Sequence, residues 1–125
     1  MADQIVTGTW NLWRDQQRDS RLEELAEALG LLQRELTRRV QREEGSGGFF
    51  FFLCSAAPRY LSFVGTLQFQ HTRLLNALAA LRAKAERASS DHYAELMIEA
   101  AVVLAAIEDH DALEREVLRD ALESV

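Results

Sequence analysis

The chain is poor in the residues that characterise several other classes of protein. It has one cysteine, Cys54, among 125 residues, which excludes an intramolecular disulfide and fits a reducing compartment. It also has one proline, Pro58, and only six glycines, so long stretches contain no strong helix breaker. With 48% hydrophobic and 27% charged residues, the composition predicts one soluble, mostly helical domain.

Basic residues and long apolar runs are also scarce. The formal net charge is −6, and the segment from Asp91 onward has ten acidic residues but only two arginines. This imbalance argues against nucleic acid or an anionic membrane as a partner. The longest apolar run, residues 49–54, is far shorter than the ~20 residues of a membrane-spanning helix. No basic segment followed by an apolar one opens the chain, so we expect a cytoplasmic protein without a secretory signal.

Apolar residues recur at helical spacing in three long segments. The first runs from a capping pair at Asp19 or Ser20 to about Glu44, the second from Pro58 to about residue 88, and the third from a turn at 89–91 almost to the C-terminus. Residues 1–18 are weakly periodic and are predicted to form an N-terminal arm, with residues 19–125 as a single helical-bundle domain. The Phe-rich stretch 49–54 follows a Gly-rich break and is predicted to be helical, because no other strand is available to pair with it.

The predicted fold is all-α, an up-and-down bundle of three long antiparallel helices, each about 45 Å long. Helices of this length with broad apolar faces carry more apolar surface than three of them can cover. The four consecutive phenylalanines at 49–52 cannot all face one core. We therefore expect a homodimer. The sequence does not identify any other protein partner.

Ionisable residues interrupt the apolar stripe of all three helices. Burying such groups costs several kcal/mol unless they pair with one another or coordinate an ion. The three interruptions therefore call for a shared explanation. The stripes are Leu22, Leu25, Leu29, Leu32, Leu36, Arg39 and Glu43 in the first helix, Val64, Leu67, His71, Leu74, Leu78 and Leu81 in the second, and Val103, Ile107, His110, Glu114, Val117 and Ala121 in the third.

The interruptions are predicted to lie at one height in the bundle. Glu43 precedes the first turn by as many residues as His71 follows it, and His71 and His110 are nearly equidistant from the second turn. His110 and Glu114 are one helical turn apart and so share a face. Two imidazoles and two carboxylates suit iron, zinc or manganese. The alternative is an internal ion-pair layer in which Arg39 satisfies Glu114.

Three segments at this height, residues 36–44, 67–75 and 110–118, resemble the motifs of the hemerythrin-like (HHE cation-binding) family. The resemblance implies that Glu43, His71, His110 and Glu114 bind non-haem iron or another divalent metal, for sensing or storing O₂, NO or iron. It also implies a four-helix arrangement, completed by the N-terminal arm or by a second chain. Arg39 stands where the family has a histidine, and no histidine precedes His71.

The alternative function is a metal-free helical dimerisation or interaction module that retains a decayed metal layer. Enzymatic activity is not predicted, because the chain has no nucleophile-and-base arrangement and its Gly45–Gly48 stretch lacks the Lys-Ser/Thr of a phosphate-binding loop. Of the remaining polar residues, His92 is expected to lie on the surface. Asp109 and Asp111 are expected to face outward, and the alternative for either is a hydrogen bond to a metal ligand.

Overall fold

A computed structural model, which describes the backbone of residues 2–123 and the side chains of residues 20–123, confirms the all-α bundle. Three long helices and one short helix follow one another along the chain, and no strand occurs among the described residues. Helix α1 packs mainly on α3, and α3 packs on α4. The helices are α1 (Ala2–Glu44), α2 (Phe49–Ala56), α3 (Leu61–Arg87) and α4 (Tyr93–Glu123), with 3₁₀ turns at Pro58–Tyr60 and Ser90–His92.

Helix α1 begins earlier than predicted. Its first residue is Ala2, so Asp19 and Ser20 lie inside the helix and do not cap it. No proline precedes Pro58, and nothing in this part of the chain forces the backbone out of a helix. The side chains of the predicted arm, residues 1–18, fall outside the described side chains. The division into an arm and a bundle domain therefore stays a prediction.

Two glycines shape the short break between α1 and α2. Gly47 has φ +76°, in the left-handed region that favours glycine. A Cβ atom on Gly48 would lie 2.0 Å from the carbonyl oxygen of Arg42, so no larger residue fits against the end of α1. The helix resumes over Phe49–Ala56, as predicted, and the chain then bends by 116° between residues 20–56 and 58–87.

The apolar core is divided into two clusters by a polar layer. The larger cluster holds the middle of α1 against the second half of α3 and the first half of α4, and the smaller one holds α2 against the start of α3 and the end of α4. On α3, His71 lies between Leu67 of the smaller cluster and Leu74 of the larger one. The larger cluster is Leu22, Ala26, Leu29, Leu36, Val40, Leu74, Leu78, Leu81, Ala85, Leu96, Ala100 and Ile107, and the smaller is Phe50, Leu53, Tyr60, Val64, Leu67, Val117 and Ala121.

Part of the apolar surface stays exposed. Phe50 is buried but Phe51 faces outward, so the phenylalanines lie on two sides of α2, as expected. Among the described residues no single helix is long and apolar enough to cross a membrane. Residues 20–56 and 58–87, which are bent by 116° against each other, are long and apolar enough only when they are taken together. Core helices of bundles meet the same criterion.

Tyr60 fixes the entry of α3 against the end of α4. Its ring is buried, and its hydroxyl donates to Oδ2 of Asp120 at 2.7 Å while accepting from Nη2 of Arg59 at 2.8 Å. We expect Tyr60→Phe to lower the free energy of unfolding by about 1 kcal/mol, the typical value of one hydrogen bond. Urea denaturation would measure it. Tyr93→Phe is the control, since the contact described for Tyr93 is between its ring and Arg21; equal losses in both variants would contradict the prediction.

Candidate metal centre

Four side chains from three helices converge in the polar layer. Glu43 comes from the end of α1, His71 from the middle of α3, and His110 and Glu114 from successive turns of α4. One donor atom from each lies within 4.8 Å of the others. His71 is 1% exposed, His110 3% and Glu114 9%. The prediction that these residues share one height is confirmed, and they form a buried His/Glu cluster that can hold a metal ion.

Glu114 is the hub of the cluster. Its Oε1 lies 2.5 Å from Nε2 of His110 and 3.1 Å from Nε2 of His71. Oε2 of Glu43 is also 3.0 Å from Nε2 of His71, but it is buried without a hydrogen bond of good geometry. Nδ1 of His71 is likewise buried without a hydrogen-bond partner, and Oε1 of Glu44 is 3.8 Å away from it.

The electrostatics of the cluster favour a positive charge between its carboxylates. Burial alone would lower the pKa of His71, but Glu114 and Glu43 outweigh it and raise that pKa to about 9. Burial would raise the pKa of Glu114, but hydrogen bonds with His110 and His71 hold it far below its usual range. For Glu43 burial prevails and raises the pKa. Without a metal, the imidazolium of His71 therefore supplies the positive charge that the carboxylates require.

Two neighbouring side chains orient the imidazole rings, and neither was predicted from the sequence. Oε1 of Gln70 lies 2.5 Å from Nδ1 of His110, the distance of a hydrogen bond in which the ring N–H donates. Such a contact to the outer nitrogen turns Nε2 toward the cluster, as outer partners do for metal-binding histidines. Phe50 stacks on the ring of His71, with centroids 5.2 Å apart and planes 12° apart. Both histidines therefore present Nε2 to the same space.

Arg39 has a different principal partner from the one expected. Its guanidinium donates to both carboxylate oxygens of Asp111, through Nη1 at 3.3 Å and through Nη2. It lies farther from the cluster itself, 3.6 Å from Oε1 of Glu43 and 4.0 Å from Oε2 of Glu114. The expectation that Asp111 faces outward was wrong, because the position after His110 turns toward α1. Because Arg39 pairs mainly with Asp111, Glu114 keeps its contacts with the two histidines.

The cluster is accessible from the side where α1 faces α4. A hollow of about 310 Å³ is lined by Arg39, Asp111 and the two carboxylates, Glu43 and Glu114. A larger hollow of about 520 Å³ lies on the α3–α4 side, beside His110 and its partner Gln70. Small molecules can therefore approach the layer from opposite sides.

The other residues considered from the sequence lie away from the layer. Asp109 and His92 are exposed, as expected, and His92 pairs with Glu95 at 3.4 Å. Cys54 is half-buried and packs on the smaller apolar cluster. None of the three belongs to the described His/Glu cluster.

Compared with protein-family models, curated proteins and solved structures, the chain matches none of them. What the site does is therefore inferred from its own donors, distances and burial, beside the hemerythrin-like resemblance of the sequence.

Proposed function

We propose that the bundle binds one divalent metal ion, iron by preference, through Glu43, His71, His110 and Glu114. The observation that carries the proposal is the convergence of these four donors within 4.8 Å in a buried layer. The hemerythrin-like resemblance suggests the use of such a site, which is to sense or store O₂, NO or iron.

The donors suit a metal in kind and in spacing. Imidazole nitrogen and carboxylate oxygen together are typical ligands of iron, zinc and manganese. Ligands bound at about 2.1 Å from one ion lie about 3.0 Å apart when adjacent and about 4.2 Å apart when opposite. Donors as far apart as 4.8 Å would therefore have to approach each other by at least about 0.6 Å to close on an ion. A central ion would also give Oε2 of Glu43 the partner that it lacks.

The charges near the layer support one ion rather than two. Besides Glu44, whose Oε1 is 3.8 Å from Nδ1 of His71, three carboxylates gather there, those of Glu43, Asp111 and Glu114, and Arg39 contacts all three. With neutral histidines, one divalent ion and the arginine together balance the three negative charges. A second divalent ion would leave an excess of positive charge beside a guanidinium.

A sensing or storage role requires that small molecules reach the ion. Four protein donors leave positions free on a six-coordinate ion such as ferrous iron. The hollow of about 310 Å³ beside Glu43 and Glu114 provides a path from solvent to that side of the layer.

Elemental analysis of untagged protein, purified without chelating resin, tests the proposal. We expect about one metal ion per chain, or its uptake on anaerobic addition of ferrous iron, with a visible spectrum recorded on the same sample. His110→Ala removes a buried donor and should lower metal occupancy about tenfold or more. His92→Ala is the matched control, because this histidine is exposed and outside the cluster; equal occupancy in both variants would reject His110 as a ligand.

One observation favours a metal-free interaction module as the second candidate. His71, His110, Glu43 and Glu114 already contact one another, and the pair formed by Arg39 and Asp111 closes the layer beside them. On this hypothesis the wild type takes up no metal even from ferrous iron added anaerobically. Metal content thus separates the two functions directly.

A further inference from the structure

The outer face of α4 is apolar where a surface helix would ordinarily be charged. From Met97 to Ile107 the only charged residue is Glu99. Ile98 is 67% exposed and Val102 64%. A helix that is apolar on every side is normally covered on every side. This stretch of α4 therefore lacks its partner within the described part of the chain.

A groove lies beside this exposed ridge, between α3 and α4. Two hollows, of about 520 and 360 Å³, adjoin along the groove and share Ala77, Val102 and Val103 as lining residues. Ala80 and Ala106 add further small side chains. The face thus combines a ridge of large apolar residues with a groove of alanines, and ridges of one helix pack into grooves of another.

The two helices of this face carry opposite charge. Helix α3 has four basic residues and one acidic residue besides its histidine, whereas α4 has nine acidic residues and two arginines. At one end of the groove Arg73 of α3 stands beside Asp109 of α4. At the other end Lys84 of α3 forms an ion pair with Glu99 of α4 within the same chain, at 3.4 Å.

We propose that this α3–α4 face binds the same face of a second copy of the chain, about a two-fold axis parallel to the helices. Each α4 then lies antiparallel on the partner's α3, and an acidic helix meets a basic one at both contacts. Arg73 faces the partner's Asp109, and Lys84 faces the partner's Glu99. A two-fold axis perpendicular to the helices would instead set α4 on α4 and α3 on α3, with like charges opposed.

The arrangement completes an antiparallel four-helix packing from two α3–α4 pairs. It also covers the hollow beside His110 and Gln70, so that one route from solvent to the polar layer closes on dimerisation. The inference rests on the shape and charge of this face, and it holds whether or not the layer binds a metal.

Sedimentation velocity of the wild type, Ile98→Glu and Leu122→Glu tests the surface. Leu122 is 60% exposed and lies near the end of α4, so its substitution places the same charge on the same helix outside the groove. We expect a wild-type dimer, a dissociation constant raised about a hundredfold or more by Ile98→Glu, and little effect of Leu122→Glu. Circular dichroism verifies that each variant is helical. A monomeric wild type, or any other pattern among the variants, overturns the assigned surface.

Charge exchange tests the axis. Arg73→Glu and Asp109→Arg should each weaken the dimer about tenfold, and the double variant should restore most of that loss. At the far end of the groove Lys84 and Glu99 already pair within one chain, so there the two single variants, Lys84→Glu and Glu99→Lys, are mixed instead, because mixing restores only pairs between chains. Restoration of the dimer in either test supports the proposed axis. Weakening that neither test relieves overturns it.

Discussion

Glu114→Ala is expected to abolish metal binding and to lower the free energy of unfolding of the metal-free protein by about 3–5 kcal/mol. Glu114 is the carboxylate within hydrogen-bonding distance of both buried histidines. Its removal leaves Nε2 of His110 without its hydrogen-bond partner and His71 with only Glu43 near its Nε2. The cost is large because one partner of a buried ion pair is removed while the other stays buried.

Glu116→Ala is the control for this prediction. Glu116 is exposed on the same helix, so the same change of side chain should cost within about 0.5 kcal/mol. Urea denaturation of metal-free samples gives both values, and elemental analysis gives the metal content. Similar losses in the two variants would mean that the Glu114 contacts contribute little to folding. Retained metal in Glu114→Ala would show that this carboxylate is not a ligand.

The sequence predicted the inward face of the helices well because burial follows helical periodicity. All six stripe residues of α3, from Val64 to Leu81, are buried in the structure. The three stripes also placed the ionisable residues correctly on that inward face. Their common height followed from counting residues to each turn, which succeeded because the helix resumes after the Gly-rich break and the turns are short.

The partners of those residues were less predictable, because they depend on how each helix is rotated against its neighbours. Asp111 turns toward Arg39 only through the orientation of α4 relative to α1. Gln70 contacts His110 for the same reason, although its position beside His71 offered a weak signal. Phe50 lies in a run of four phenylalanines, and nothing in that run distinguishes the one that stacks on His71.

The start of α1 was missed for another reason. Capping residues predict where a helix can begin, yet Asp19 and Ser20 are tolerated within one, at a modest cost in helix propensity. With no proline before Pro58, the backbone continues helically from Ala2.

Metal affinity is expected to rise about tenfold per pH unit between about pH 6.5 and 8.5, because one proton must leave the site when the ion binds. The two carboxylates raise the pKa of His71 to about 9, so in the metal-free protein this histidine is protonated throughout that range. A metal ligand must be the neutral imidazole. The raised pKa of Glu43 acts in the same direction, since a protonated carboxyl also competes with the ion.

The free energy of unfolding of the metal-free protein should instead fall as the pH rises. A histidine whose pKa is raised on folding stabilises the folded state fully below its unfolded pKa of about 6.5. That contribution is lost as the pH rises through about 9. Raising the pH therefore weakens the metal-free bundle while it strengthens metal binding, and the difference in unfolding free energy between metal-loaded and metal-free protein should widen by about 1.4 kcal/mol per pH unit.

Cobalt(II) is a suitable probe, because its visible bands report binding directly and chelator competition gives the affinity at each pH. His92→Ala should show the same slope as the wild type, since His92 is exposed and lies outside the cluster. His71→Gln, which lacks the titrating group, should bind more weakly and with a smaller slope. A flat profile in the wild type would mean that cobalt does not displace the proton of His71. A slope shared by wild type and His71→Gln would show that the displaced proton does not come from His71.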